Sequence, residues 1–394
     1  MLRDTHLLAH LLVDAPQADR QTQAMTRPRA ELIALDATPW YHVVSRCVRR
    51  AFLCGQDLAS GRNYEHRRGW IEARLCQLAG VFAIDVAAYA VMSNHYHIVL
   101  RIDPARAAGW SEDEVLTRWT QLFSGPLMVQ RYLNEETRPQ MGEAELEAVT
   151  RWAETYRQRL TDLSWYMRVL NEAIARAANA EDGVTGRFWE GRFKSQALLD
   201  EPALLAAMAY VDLNPIRAAM ADTPEASDYT SVQARIDPQR VTARMAESLA
   251  PKPPSPAAQP QSPPSEETLP TEDTLQPETR LSPLAIAPLM PFDATARLAW
   301  AIPFAWDDYL ELIETLGHSI HPGKRGHIPE HTPALIERLG LDRDGFIHCA
   351  DTLLKQFGSA IGKPESLLAH AAQRQARFLH GMQAAKALLC RQAA

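Results

Sequence analysis

The sequence predicts an α+β protein, and three observations carry that prediction. Two apolar, β-rich runs flank Met92-Ser93-Asn94 as in a hairpin, a third strand-like run lies upstream, and the rest shows helical periodicity interrupted by Gly and Pro. Taken in order, residues 1–29 lack clear periodicity and precede a second methionine, Met25, so they read as a flexible N-terminal extension with Met25 as the natural start. Residues 40–48 read as a strand. Residues 64–78 read as an amphipathic helix with Trp70, Ile71, Leu75 and Leu78 near one face. The hairpin spans 82–91 and 95–102, and Asn94 suits the tight turn between them.

Residues 112–180 are helix-prone, with breaks near Gly125-Pro126 and between Pro139 and Gly142. A strand is predicted over 192–199. Asp200-Glu201-Pro202 then reads as a helix start, because Pro is tolerated in the first turn and acidic groups meet the positive end of the helix dipole, and a helix over 203–213 follows. From 246 to 291 Pro, Ser, Gln, Thr and Glu dominate; such a stretch buries too little apolar surface to offset its ordering entropy and reads as a disordered linker. Residues 292–394, punctuated by Gly317, Gly323, Gly326, Gly340, Gly345, Gly358 and Gly362, predict a small all-α C-terminal domain of unknown role.

Composition narrows the class. Nearly half of the 394 residues are apolar and 23% are charged, the profile of a globular chain that builds a core. No window is long and apolar enough for a membrane span and no secretory signal is legible, so a cytoplasmic location is expected. The 5 cysteines are scattered, without a C-x-x-C pair, which argues against a disulfide framework or a thiolate zinc site. The net charge of -7 leaves no global footprint of a nucleic-acid binder, yet cations gather at Arg46, Arg49 and Arg50, at Arg62, Arg67 and Arg68, and at Arg187, Arg192 and Lys194. Local positive patches suffice to grip a phosphate backbone.

Three constellations carry possible chemistry. His95 and His97 fall two apart on a strand, so both imidazoles project from one face while Tyr96 points to the other. Imidazole suits borderline metals such as Mn2+, and with oxygen donors added the set also suits Mg2+; two ordinary polar positions on a strand have the same spacing. Tyr210 and Asn214 lie at i and i+4 and share a helix face, although Pro215 pushes Asn214 away from helical angles, and a buried tyrosine closing a helix fits equally. In GRFWEGRFKS (186–195) cations alternate with aromatics, the combination that holds phosphates and stacks unpaired bases, or else a half-buried strand with a charged outer face. Tyr89 and Tyr96 read as core residues rather than nucleophiles.

The ordered set YHVVSRCVRRAF, AYAVMSNHYHIVL, GRFWEGRFKS and AYVDLNPIRAAM resembles the IS200-like single-tyrosine transposases (the Y1, HUH-type superfamily), in particular the branch associated with repeated extragenic palindromes. The resemblance spans 40–236 and implies a ferredoxin-like domain at 30–245, with a central antiparallel sheet, helices on one face and a helical insertion at 104–182. It places the metal ligands at His95, His97 and Asn214, the nucleophile at Tyr210, and the cofactor as Mg2+ or Mn2+. It further implies single-stranded or hairpin DNA as partner, a 5'-phosphotyrosine intermediate, and a monomer or homodimer. Arg46, Arg49, Arg50, Arg187, Arg192 and Lys194 are the expected DNA contacts.

The chain departs from the compact family pattern in its insertion, its linker and its tail. DYLELIETLGHSIHPGKRGHIP resembles an extension found in a subgroup, and Lys324 and Arg325 beside His321 and His327 could touch DNA. An alternative reading is a domesticated, non-cleaving regulator that binds hairpin or repeat DNA. A replication or plasmid-relaxation initiator shares the paired histidines but typically carries its nucleophile in a different chain order.

Overall fold

The computed structural model describes residues 33–48, 53–55, 61–250, 284–295, 297–320, 333–342, 346, 353–376 and 380–389. The expectations for residues 1–29, Arg49, Arg50, His321, Lys324, Arg325 and His327 lie outside these residues. The chain forms β1 (Trp40–Arg46), α1 (His66–Val81), β2 (Ile84–Val91) and β3 (His95–Ile102). The helical stretch follows as α2 (Pro104–Ala108), α3 (Glu112–Thr120), α4 (Leu127–Leu133), α5 (Glu143–Arg159) and α6 (Leu163–Asp182). Then come β4 (Lys194–Leu198), α7 (Glu201–Asp212), α8 (Asn214–Arg217), α9 (Ser231–Ile236) and α10 (Pro238–Leu249).

One mixed five-stranded sheet organises these elements, in the order β2-β3-β1-β4 and then a short β5 (Ala360–Ile361). Each neighbouring pair among the first four strands is antiparallel, whereas β5 runs parallel to β4. The C-terminal part is therefore not all-helical: two of its residues extend the sheet, and the expected purely antiparallel sheet is mixed. The expectation of helices on one face is also corrected. Tyr96 donates to Asn171 of α6 at 2.6 Å, while His97, on the other face of the same strand, packs edge-on against Tyr210 of α7 with ring centroids 5.6 Å apart. Helices thus cover both faces, and Ile84–Val91 is buried almost continuously, as a strand covered on both sides must be.

Local chemistry explains the ends of the helix that matters most. Asp200 caps α7 by accepting from the Ala203 amide at 3.0 Å, with Pro202 in the first turn, where its missing N–H costs nothing. The helix stops at Asp212, and Pro215 is accommodated because a new short helix begins at Asn214. Asp212 accepts from the Val232 amide and from the Tyr309 hydroxyl at 2.7 Å, which ties α7 to α9 and to α11 (Trp306–Ile320). Another close approach joins α1 to α10, where a Cβ at Gly69 would lie 1.9 Å from Ser248 Oγ. The expected linker 246–291 is described only at its ends: 246–249 finish α10, and Ala287 and Met290 donate to the carbonyls of Cys76 and Val86. Cys47, Cys54 and Cys76 are buried. No helix among the described residues is long and apolar enough to cross a membrane.

Candidate active site

Strand register builds one wall of the site. Side chains at alternate positions share a face. Val44 pairs with His97 and Arg46 with His95 on β3, while His42 pairs with Gln196 and Val44 with Lys194 on β4. His42, Arg46, His95, His97, Lys194 and Gln196 thereby occupy neighbouring positions of one sheet face. Helices α7 and α8 supply the opposite wall with Tyr210, Asn214 and Arg217, and residues 354–359 supply the rim. The open cavity between these walls is about 1120 Å³, and every one of these side chains lines it.

The four residues expected to do chemistry meet there. The His95 and His97 rings lie 4.9 Å apart, and Tyr210, 7% exposed, has its ring 5.6 Å from that of His97. Asn214 is buried in the same cavity, and its side-chain nitrogen has no hydrogen-bond partner. Of the expected DNA contacts, Arg46, Arg192 and Lys194 line the cavity; Arg187 does not, and its Nε donates to the Trp189 carbonyl at 2.9 Å. Tyr89 and Tyr96 point away into the core, donating to Glu72 and Asn171.

Among the lining residues that escaped the sequence reading are His42, Gln196, Arg217 and Lys355. His42 Nε2 lies 2.9 Å from His97 Nδ1, and His42 Nδ1 lies 3.0 Å from Gln196 Oε1. The Arg217 guanidinium stacks on the Tyr210 ring at 3.8 Å. Lys355 brings a cation from the C-terminal part. A lone His in a strand carries no local motif; the usable signal was that His42 shares a period-2 face with Val44 and Arg46.

Burial sets the protonation of the histidines. Desolvation lowers His42 to about 4, against a smaller upward pull from the Gln196 hydrogen bond. His95 is lowered to about 4 by burial, assisted by the Arg46 and Lys355 cations. His97 is held well below the usual histidine range by burial first, then by its neighbours His42, His95, Arg217 and Arg46. At neutral pH all three are neutral imidazoles, the form in which a ring nitrogen ligates a metal.

Whether these residues suit a divalent cation is tested by the unsatisfied atoms. His95 Nδ1 is occupied by Asn94 Oδ1 at 2.6 Å and His97 Nδ1 by His42, so each ring keeps Nε2 as its remaining polar atom. His97 Nε2 is buried without a hydrogen-bond partner, a costly arrangement for a group with nothing to bind. Among the described residues no three His, Cys, Asp or Glu side chains form a metal-ligand cluster; the Asn214 amide, whose oxygen and nitrogen exchange places by a flip, lines the same cavity and is an oxygen donor available beside the two imidazoles. Two imidazoles and one amide oxygen fit Mn2+ or Mg2+ completed by oxygens of substrate and water.

Five cations, Arg46, Arg192, Lys194, Arg217 and Lys355, line the cavity, and no carboxylate does among the described residues. On a chain of net charge -7 this is a focused positive field suited to a polyanion. A smaller cavity of about 360 Å³ shares Arg192 and Phe193 with it and is lined by Trp165 and Trp189.

No family model and no curated protein matches the chain. A solved structure of the REP-associated tyrosine transposase bound to a REP hairpin is similar over 50% of this chain and 79% of that chain, with 10% identity and a TM-score of 0.29. A likeness that slight leaves the functional reading to rest on the site itself.

Proposed function

We propose that the chain is a metal-dependent, IS200-like tyrosine nuclease and strand-transferase that cleaves and rejoins single-stranded or hairpin DNA, with Tyr210 as nucleophile and His95, His97 and Asn214 as metal ligands. The observation that carries the reading is the convergence of a phenol, two neutral imidazoles and an amide in one cavity ringed by cations without a carboxylate. The β-α-β-β-α-β order of β1 to β4, with β3 and β1 central, supports the ferredoxin-like expectation.

A divalent cation at these ligands would polarise the scissile phosphate and neutralise charge developing on its oxygens. The protein's own groups do the rest. Arg46, Arg192, Lys194 and Lys355 hold flanking phosphates and so position the strand. The Tyr210 oxygen attacks phosphorus and loses its proton to solvent; the bond to the 3' oxygen breaks, and that oxygen leaves as a hydroxyl after taking up a proton. The resulting 5'-phosphotyrosine conserves the bond energy, so the hydroxyl of a second strand can displace the tyrosine and rejoin the DNA. Trp189 and Phe193, beside the cation row, offer faces on which unpaired bases stack.

The test incubates labelled single-stranded DNA from the flanks of the gene's own locus with the protein and Mg2+ or Mn2+, then resolves the products on a denaturing gel. A protein-bound, metal-dependent product is expected, absent from Tyr210→Phe, which still binds the DNA. Tight hairpin binding without any cleavage by the wild type would favour a non-cleaving regulator instead.

A further inference from the structure

The C-terminal part reaches the site through a chain of hydrogen bonds whose direction can be worked out atom by atom. Gln196 Nε2 lies 3.0 Å from the Leu354 carbonyl oxygen, 2.9 Å from that of Gly358 and 3.4 Å from that of Phe357. Carbonyl oxygens only accept, so the donating end of the amide must face them and Oε1 must face His42. Oε1 also only accepts; His42 Nδ1, 3.0 Å away, therefore carries that ring's proton.

Neutral His42 is then bare at Nε2, which lies 2.9 Å from His97 Nδ1. Two bare nitrogens cannot share a hydrogen bond, so His97 Nδ1 carries the proton. The rings are parallel to within 9° with centroids 5.2 Å apart, the geometry of a bond made in the ring planes. His97 Nε2 is left with its lone pair, and it is the buried atom that lacks a partner.

We infer that residues 354–358 of the C-terminal part, acting through Gln196 and His42, fix the tautomer of His97 that offers Nε2 to a divalent cation. Gln196 and His42 are thus positioning residues, and the C-terminal part is a component of the site rather than an appendage. The inference rests on the proposed role of His97 as a ligand and goes beyond it by assigning a task to the tail. His95 reaches the same state without the tail, since Asn94 Oδ1 accepts from its Nδ1. Only one of the two imidazoles depends on the C-terminal residues, so losing the relay weakens the site without erasing it.

Two readouts on the full chain test this. In the metal-free protein labelled with 15N-histidine, long-range 1H–15N spectra at neutral pH are expected to show His97 protonated at Nδ1 and bare at Nε2. Calorimetry with Mn2+ is expected to show affinity about ten- to a hundredfold lower in Gln196→Leu and His42→Phe, the usual penalty for losing a partner that orients a ligand. His42→Gln, whose amide oxygen can still accept from His97 Nδ1, is expected to bind Mn2+ nearly as the wild type does. Should Gln196→Leu fail to fold, the contrast between the two His42 variants carries the test. A His97 proton on Nε2, or equal Mn2+ affinity in wild type, Gln196→Leu and His42→Phe, overturns the relay alone. A wild-type chain that binds no Mn2+ overturns the cation reading and the relay with it.

Discussion

Acidifying the metal-free protein from pH 7 to pH 5 is expected to cost stability, and His42 supplies a share that can be worked out. The ring is 2% exposed, and burial lowers it from 6.5 to about 4. The unfolded chain binds a proton there near 6.5, whereas the folded chain refuses it until about 4, so between those values the unfolded state holds more protons and stability falls with pH. At about 1.4 kcal/mol per pH unit for one proton, His42 removes roughly 2 kcal/mol by pH 5 and roughly 3 kcal/mol by pH 4, and nothing above 6.5. His42→Gln has no such proton to take up. Buried carboxylates such as Asp212 and Glu72, raised by desolvation, act in the opposite sense but are common to both proteins. Urea titrations at pH 7, 6 and 5 in the presence of a chelator should therefore show the stability of wild type relative to variant dropping by about 2 kcal/mol over that range. A difference that does not change with pH would mean that folded His42 titrates normally, and the picture of a sealed, neutral histidine pair would be wrong.

Other expectations follow from single contacts. Lys194→Gln and Lys355→Gln should each weaken single-stranded DNA binding and reduce the slope of log affinity against log salt by about 0.7, as expected when one phosphate contact is lost; an unchanged slope removes that lysine from the interface. Tyr309→Phe takes a hydrogen bond from the fully buried Asp212 and should cost about 1–3 kcal/mol in chemical denaturation. Gly69→Ala puts a methyl group onto Ser248 and should cost about 1–3 kcal/mol, most of it recovered by adding Ser248→Gly. If the double variant is no more stable than the single one, the close approach of α1 and α10 is not what Gly69 serves.

What was legible in the sequence was local. The alternation that puts His95 and His97 on one face and the Asp200 start of α7 are properties of a few consecutive residues, and the structure places them as the pattern implied; Tyr210 and Asn214 reach the same cavity from two successive helices rather than from one shared helix face. His42 and Gln196 became visible only through strand register, which joins residues 154 apart in the chain. The two-residue β5 is too short to leave a periodic trace, and its pairing with β4 is what brings Lys355 and the neighbouring carbonyls to the cavity. The one-sided sheet was a misreading with a usable warning: Ile84–Val91 has hardly any polar alternation, the mark of a strand buried on both faces.

Peptide mapping of the covalent product bears most directly on the central claim. After incubation with single-stranded flanking DNA and Mn2+, nuclease trimming and proteolysis, mass spectrometry should find the nucleotide mass on the peptide that contains Tyr210. Label on Tyr89, Tyr96 or any other residue, or no labelled peptide despite strand cleavage, would contradict the account.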